Sequence, residues 1–253
     1  MNTAIVIPAR FASTRLPGKP LLRQTGKYLI QHVYERACQA RRANLVVVAT
    51  DDPRIEAAVA GFGGRVVLTR RDHASGTDRV AEVARMLDSD VVINLQGDEP
   101  LVQQSDLDLL PELLERNPKA DLATLAVPLT KAEDWRDPNR VKVVCDQSGR
   151  ALYFSRSPIP FVRNGQPDFQ AQPPRFLQHL GMYAYRREFL LQLASLPPSP
   201  LEEIEKLEQL RILASGRGIQ VGVVHQAAIG VDTLSDYEDF VRHYRKGSKQ
   251  LAA

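Results

Sequence analysis

Leu45-Val-Val-Val-Ala-Thr-Asp-Asp-Pro-Arg-Ile-Glu-Ala-Ala-Val-Ala60 changes its period part-way along. Leu45 to Ala49 is an unbroken apolar, β-branched run, the pattern of a strand buried on both faces. Asp52-Pro53 then supplies an N-cap with proline at the first helical position, and Ile55, Ala58 and Val59 form an apolar stripe at helical spacing. Upstream, Ala4 to Ile7 reads as a buried strand, and Leu29, Val33, Ala37 and Ala40 as one helix face. Downstream, Gly63-Gly64 breaks the helix before a strand at Val66 to Leu68. Val80, Val83, Ala84 and Leu87 mark a further helix, and Val91 to Leu95 a further strand. This βαβαβ order predicts an α/β fold: a mostly parallel twisted sheet, right-handed crossovers and helices on both faces.

The second half is less regular. Ala123 to Val127, Val141 to Cys145, Ala151 to Phe154, His179 to Tyr185 and Ile219 to Val224 read as strands, and Glu202 to Ala214 as one strong amphipathic helix. Ser157 to Arg175 holds five prolines, so a long loop is expected there. The region from Asp232 to Tyr244 closes the fold. The expected organisation is a single α/β domain over 1–253. Residues 1–127 form its nucleotide-binding half, and 140–225 a smaller lobe for a second substrate and dimerisation.

The composition supports a globular protein with a sizeable core: 253 residues, 43% hydrophobic and 25% charged. A net charge of +3 is too small to argue for nucleic-acid binding. Cys38 and Cys145 form no metal or redox motif, and no disulfide framework is visible. Met1 to Pro8 reads as a strand rather than a signal peptide, and no apolar run approaches the ~20 residues needed to cross a bilayer. A cytoplasmic protein without membrane insertion is expected.

Open α/β sheets bind ligands outside the carboxyl ends of their strands. Arg10, Asp51, Asp98 and Asp232 all follow apolar strands directly or within a few residues. Pro8-Ala-Arg-Phe-Ala-Ser-Thr-Arg-Leu-Pro-Gly-Lys-Pro20 brings Arg10, Arg15 and Lys19 into one loop with Ser13, Thr14 and Gly18. Arginine forks and a lysine point charge suit phosphate oxygens, although a generic basic loop is more often a solvated surface. The loop is no Walker A motif, because Pro20 stands where Ser or Thr is required, and no G-x-G-x-x-G opens a helix. In Gln96-Gly-Asp-Glu-Pro100, Gly97 permits close backbone approach. Asp98 and the distant Asp232 are the two carboxylates that Mg²⁺ would take beside phosphate oxygens and water; capping of the following turn and helix is the plainer alternative.

With these residues in view, the chain resembles the nucleotidylyltransferases of glycosyltransferase-A-like fold, and more narrowly the 3-deoxy-manno-octulosonate (Kdo) cytidylyltransferase family. The matching stretches are the Pro8–Pro20 loop, Arg70–Arg79, Asn94–Pro100, Phe154–Pro160, His179–Tyr185, Pro198–Glu202, Leu207–Arg211 and Gly230–Thr233, in family order over nearly the whole chain. The resemblance implies a nucleotide-diphospho-sugar transferase-like fold. It implies transfer of CMP from CTP to the anomeric hydroxyl of Kdo, releasing pyrophosphate, for lipopolysaccharide biosynthesis. It further implies Mg²⁺ on Asp98 and Asp232, and a homodimer meeting over Pro158 to Pro200. Ala9, Arg10, Arg15, Lys19, Ser75 and Gly76 are the implied nucleotide-binding residues. Arg10 meets the reacting phosphate, Lys19 holds the leaving group, and catalysis rests on Arg10, Lys19, Asp98 and Asp232.

An eight-carbon acid sugar needs cations and uncharged donors together. Gln96, Arg156, Arg163, His179, Tyr183, Tyr185, Glu208 and Gln209 offer that mixture, with His179 and Arg156 foremost. Glu208 and Gln209 are adjacent and do not share a helix face. The chain departs from the family at Leu234, where proline is usual, and over Gln226–Gly230; Asp232 is retained. The alternatives are a different acid sugar, a sugar-1-phosphate nucleotidylyltransferase, or a nucleotide-sensing module that has lost catalysis.

Overall fold

The computed structural model describes residues 1–12, 15–193 and 195–250, the last four by backbone alone. Ser13 and Thr14 of the basic loop lie outside the described residues. Two compact units are distinguished: residues 2–108 with 228–250, and residues 109–227 with Met1.

In the first unit, β1 (Thr3–Ala9), β2 (Leu45–Thr50), β3 (Val66–Leu68) and β4 (Val91–Asn94) are all parallel, with β1 between β2 and β4 and β3 outside β2. Every residue of β1 is buried, as its unbroken apolar run requires. The helices are α1 (Leu29–Ala37), α2 (Pro53–Gly61) and α3 (Gly76–Arg85). Asp52 caps α2 as expected, its side chain accepting from the Arg54 N–H at 2.9 Å. A single 3-10 turn, Lys19–Leu21, follows Gly18, whose φ of 69° suits glycine.

The sequence reading passed over α4 (Gln104–Arg116), which crosses the boundary between the units and carries Pro111 in its interior. Leu107, Leu110 and Leu114 lie buried along one face of it.

In the second unit, β5 (Leu122–Pro128) runs antiparallel to β8 (Leu177–Arg186) and parallel to β9 (Ile219–Val223). β6 (Lys142–Cys145) pairs with β7 (Ala151–Ser155) and with β8, both antiparallel. β5, which pairs with β8 and β9, lies in the second unit, which begins at Leu109. Short helices α5 (Ala132–Arg136) and α6 (Arg187–Leu193) were not foreseen. No helix or strand occupies the proline-rich stretch before β8.

The helix expected over Glu202–Ala214 is two helices, α7 (Pro200–Glu205) and α8 (Gln209–Ala214). Lys206 sits between them in the left-handed region, at φ 53°. The break frees the carbonyls of Glu205 and Lys206, and the Arg156 guanidinium takes both, at 2.7 and 3.4 Å. The apolar pattern alone carries no sign of this exchange.

The chain re-enters the first unit through α9 (Leu234–Gln250). Tyr237, Phe240 and Val241 bury against Leu29 and Val231. The Asp236 carboxylate accepts from the N–H groups of Asp232 and Thr233 at 3.0 and 2.8 Å, and Thr233 Oγ1 accepts from Asp236 N at 3.2 Å. Leu234 opens this helix. Proline is favoured at the first helical position because its missing N–H is not needed there, so leucine in place of the family's proline leaves the cap intact.

Candidate functional site

The Arg10–Lys19 loop folds back on itself after β1: Gly18 N donates to Phe11 O at 3.1 Å and Lys19 N to Leu16 O at 3.2 Å. This closure turns Arg10, Arg15 and Lys19 into a cavity of about 380 Å³, which Ala9, Gly76, Gln96, Gly97, Asp98 and Asp232 also line. These residues come from the carboxyl ends of β1 and β4, the start of α3 and the stretch before α9.

Lys19 is the hub. Its Nζ lies 2.6 Å from Asp98 Oδ2, 3.5 Å from Asp232 Oδ1 and 2.8 Å from the Val231 carbonyl, and its side chain is only 12% exposed. Arg15 reaches Asp232 from the solvent side at 3.1 Å. Backbone pairing fixes the far partner, since Val231 N donates to Asp98 O at 2.8 Å. Thus Asp98 and Asp232, 134 positions apart (232 − 98), share one cation. Gly97 makes the approach possible: a Cβ there would stand 2.9 Å from the Pro8 carbonyl oxygen.

Among the described residues, no group of three or more His, Cys, Asp or Glu side chains could hold a metal. The cavity offers two carboxylates, Asp98 and Asp232, both facing the Lys19 ammonium; so sparse a set suits a cation that takes one or two carboxylates and completes its shell from phosphate oxygens and water, as Mg²⁺ does.

Ser75 N-caps α3 in a reciprocal capping box with Asp78, both bonds 3.0 Å. Its Oγ therefore accepts from Asp78 N, and the hydroxyl hydrogen is left to give. Gly76 lines the cavity beside Pro8 and the Gln96 amide; a Cβ on it would meet them at 3.7 and 3.9 Å. Gln96 Nε2 donates to Asn94 Oδ1 at 3.1 Å. The Arg10 guanidinium donates to the His73 carbonyl at 3.0 Å, and the His73 ring pairs with Glu82.

Sequence reasoning missed Arg79, the largest fully buried side chain of the first unit. The one signal was its place four residues before Val83, on the apolar face of α3.

The remaining predicted residues lie in the second unit. His179, Tyr183 and Tyr185 line up along β8, with ring centroids 5.4 and 5.8 Å apart. His179 is buried against Phe154, and its Nε2 lies 3.0 Å from Thr124 Oγ1. Burial holds its pKa down to about 3. Burial, reinforced by the Glu208 carboxylate, pushes the Tyr183 phenol up. Glu208 caps α8 and Gln209 is its first residue, 5% exposed. Arg156 gives its donors to carbonyls of Glu205, Pro138 and Lys206, and its own carbonyl accepts from the buried Lys142 ammonium at 2.6 Å. Arg163 is exposed in the proline-rich stretch.

A neutral His179 donates or accepts a hydrogen bond but brings no positive charge to a carboxylate. An imidazole NMR titration is expected to show His179 neutral at pH 5, where an ordinary histidine of pKa about 6.5 is largely charged. The contribution to stability is intact above pH 6.5. It is lost as pH falls toward about 3, because in that window only the unfolded chain takes up the proton. Titration of this ring between pH 6 and 7 would refute its neutral burial.

A larger cleft, about 690 Å³, lies at the amino ends of β5 and β9 and includes none of the predicted residues. Within it Arg217 pairs with Asp121 at 3.3 Å. The predicted nucleotide-binding residues line the smaller cavity instead.

A family model described as cytidylyltransferase matches residues 4–219. The 3-deoxy-manno-octulosonate cytidylyltransferase of Syntrophobacter fumaroxidans is 53% identical over 95% of this chain and 96% of its own length. That of Syntrophotalea carbinolica is 49% identical over 97% and 99%. A solved structure of CMP:2-keto-3-deoxy-manno-octonic acid synthetase complexed with CTP superposes with a TM-score of 0.91 at 45% identity, covering 98% of this chain and all of that one. A cytidylyltransferase from Leptospira borgpetersenii, at 19% identity and a TM-score of 0.62, shares the fold.

Proposed function

We infer the activity from the premise that this chain belongs to the cytidylyltransferase family: it transfers CMP from CTP to the anomeric hydroxyl of Kdo, giving CMP-Kdo and pyrophosphate. The observation that carries the reading is the Lys19–Asp98–Asp232 cluster in a cavity lined by Arg10 and Arg15. It stands in a chain so close in fold and sequence to a synthetase solved with CTP.

The cavity binds the triphosphate through Arg10, Arg15 and Lys19. The sugar hydroxyl attacks the α-phosphorus in line, the bond to the bridging oxygen breaks, and pyrophosphate leaves with its charge held by those cations. Asp98 and Asp232 would hold Mg²⁺, which when bound would supply Lewis-acid neutralisation of the phosphate oxygens. The Ser75–Gly76 turn and the Ala9–Arg10 backbone receive the cytosine edge. Gln96 lines the nucleotide cavity of the first unit; within the second unit Arg156, Arg163, His179, Tyr183, Tyr185, Glu208 and Gln209 are the residues for the sugar. Because His179 is neutral and Arg156 is engaged with carbonyls, Arg163, exposed in the proline-rich stretch, is the cation assigned to the sugar carboxylate. Catalysis is mainly positioning and electrostatics.

The working form is a cytoplasmic homodimer. Its support is apolar surface within the second unit: Phe161, Ile204 and Leu152 are 84%, 78% and 60% exposed. Two free cysteines and the absence of a membrane-spanning helix among the described residues accord with that location. Sedimentation reads the oligomeric state directly.

The test of function is pyrophosphate release with each common nucleoside triphosphate against a panel of acid sugars and sugar phosphates. Activity with CTP and Kdo above all other pairs is expected. Failure of that pair, alongside activity on another, would sink the assignment.

A further inference from the structure

We propose that Arg79 is a positioning residue for the nucleotide: it ties the Arg70–Ser75 loop to the ends of β2 and β3, and through that loop holds Arg10 in the triphosphate cavity. This rests on reading that cavity as the CTP site.

Arg79 lies in the first turn of α3 and is 0% exposed. Its NH1 donates to Thr69 Oγ1 and, at 3.4 Å, to the Arg70 carbonyl. Its NH2 stands 3.1 Å from Asp51 Oδ2. Asp51 directly follows β2 and Thr69 directly follows β3, and Thr69 N donates to Thr50 O at 2.8 Å. One guanidinium therefore joins the carboxyl ends of two neighbouring parallel strands to the start of a helix. The loop between them begins at Arg70, which Arg79 holds, and ends at the Ser75 capping box. Midway along it, the His73 carbonyl accepts from Arg10 at 3.0 Å.

Stability alone does not select a cation here. Nε of Arg79 finds no hydrogen-bond acceptor among the described residues, and NH2 meets Asp51 as an ion pair at 3.1 Å without hydrogen-bond geometry; an unmet buried donor is destabilising. A buried ion pair is commonly matched or bettered by apolar side chains of similar volume. An apolar residue would fill the space, but it could not link three segments by directed bonds. What the guanidinium adds is the fixed path of the loop, and with it the place of the His73 carbonyl and of Arg10. Lys19, Asp98 and Asp232 pair among themselves and keep their own geometry.

Removing the tie therefore weakens nucleotide binding and, through Arg10, also slows the chemical step. Calorimetric titration of the wild-type protein with CTP comes first. Absence of binding there overturns the CTP reading itself. With binding established, Arg79→Met keeps the bulk and loses the bonds; Thr69→Val removes only the acceptor and serves if Arg79→Met does not fold. The expected result is a rise in the Kd and KM for CTP on the order of tenfold or more for Arg79→Met, and a smaller rise for Thr69→Val. The KM for Kdo should stay at its wild-type value, kcat at saturating CTP should fall as well because Arg10 also holds the leaving charge, and Arg79→Lys should recover part of the affinity. Unchanged CTP affinity in folded variants, or a fall in kcat without a change in affinity, overturns the positioning role while leaving the CTP reading standing.

Discussion

Asp98→Asn is expected to lower kcat on the order of a thousandfold while leaving a folded protein. The substitution keeps the shape and removes one negative charge where the reaction gathers its cations. Lys19 Nζ sits 2.6 Å from this carboxylate, and on the proposed reading Asp98 is one of the two carboxylates, among the described residues lining the cavity, that would hold Mg²⁺. An amide oxygen is a much weaker partner for either cation. The fold should tolerate the change because the Asp98 side chain is 30% exposed and Lys19 retains the Val231 carbonyl at 2.8 Å and Asp232 at 3.5 Å. A stability loss of about 1 kcal/mol is the scale for a partly exposed pair. Steady-state pyrophosphate release at saturating CTP and Kdo, with thermal melting in parallel, checks both halves. A kcat near that of the wild type would take Asp98 out of the reaction; an equal loss with a collapsed melting point would make its role structural.

Lys19→Ala is expected to cost about a hundredfold to a thousandfold in kcat, through a different cause. The Lys19 side chain is 12% exposed, against 66% for Arg15. A point charge so enclosed acts on the leaving pyrophosphate with little solvent screening. Because it binds charge that grows as the bond breaks, kcat and kcat/KM should fall together. Arg15 still meets Asp232 at 3.1 Å, so the loop keeps one anchor and nucleotide binding should weaken less than turnover. Lys19→Arg is not expected to rescue, since a planar fork cannot replace a compact ammonium between two carboxylates and a carbonyl. A CTP-affinity loss that accounts for the whole effect would assign Lys19 to binding alone.

The first unit was largely legible because its strands are buried along their length and its helices are punctuated. Asp52-Pro53 and Gly63-Gly64 mark boundaries that the structure places within a residue or two. α4 escaped because Pro111 argues locally against a helix, while the buried leucines around it decide the matter through tertiary contacts. The α7–α8 break escaped for a similar reason: Lys206 adopts its left-handed conformation where Arg156 satisfies the carbonyls that the break releases.

At the site, Arg10 and Asp98 could be found from their places after apolar strands. The convergence of Asp232 depends on how α9 docks, through Tyr237 and Phe240, against α1 and Val231, and no local pattern reports that. Arg79 was hidden by its chemistry, since a charged residue on a helix is ordinarily solvated. The reading of His179 and Arg156 as leading sugar ligands drew on residue type. Their hydrogen bonds and the neutrality of the histidine depend on burial, which a sequence pattern does not fix.

The return of the chain through Val231 and Asp232 also sets when the protein becomes competent. Synthesis proceeds from the amino terminus, and domains generally fold as units as they emerge. The loop bearing Lys19 and the turn bearing Asp98 leave the ribosome long before Asp232, and the first unit includes residues 228 onward. A nascent chain therefore carries an incomplete cavity until its last segment is released. A polypeptide clipped after residue 227 would retain every part of the basic loop and the whole stretch matched by the family model, yet lack Asp232, one of the two carboxylates that meet Lys19.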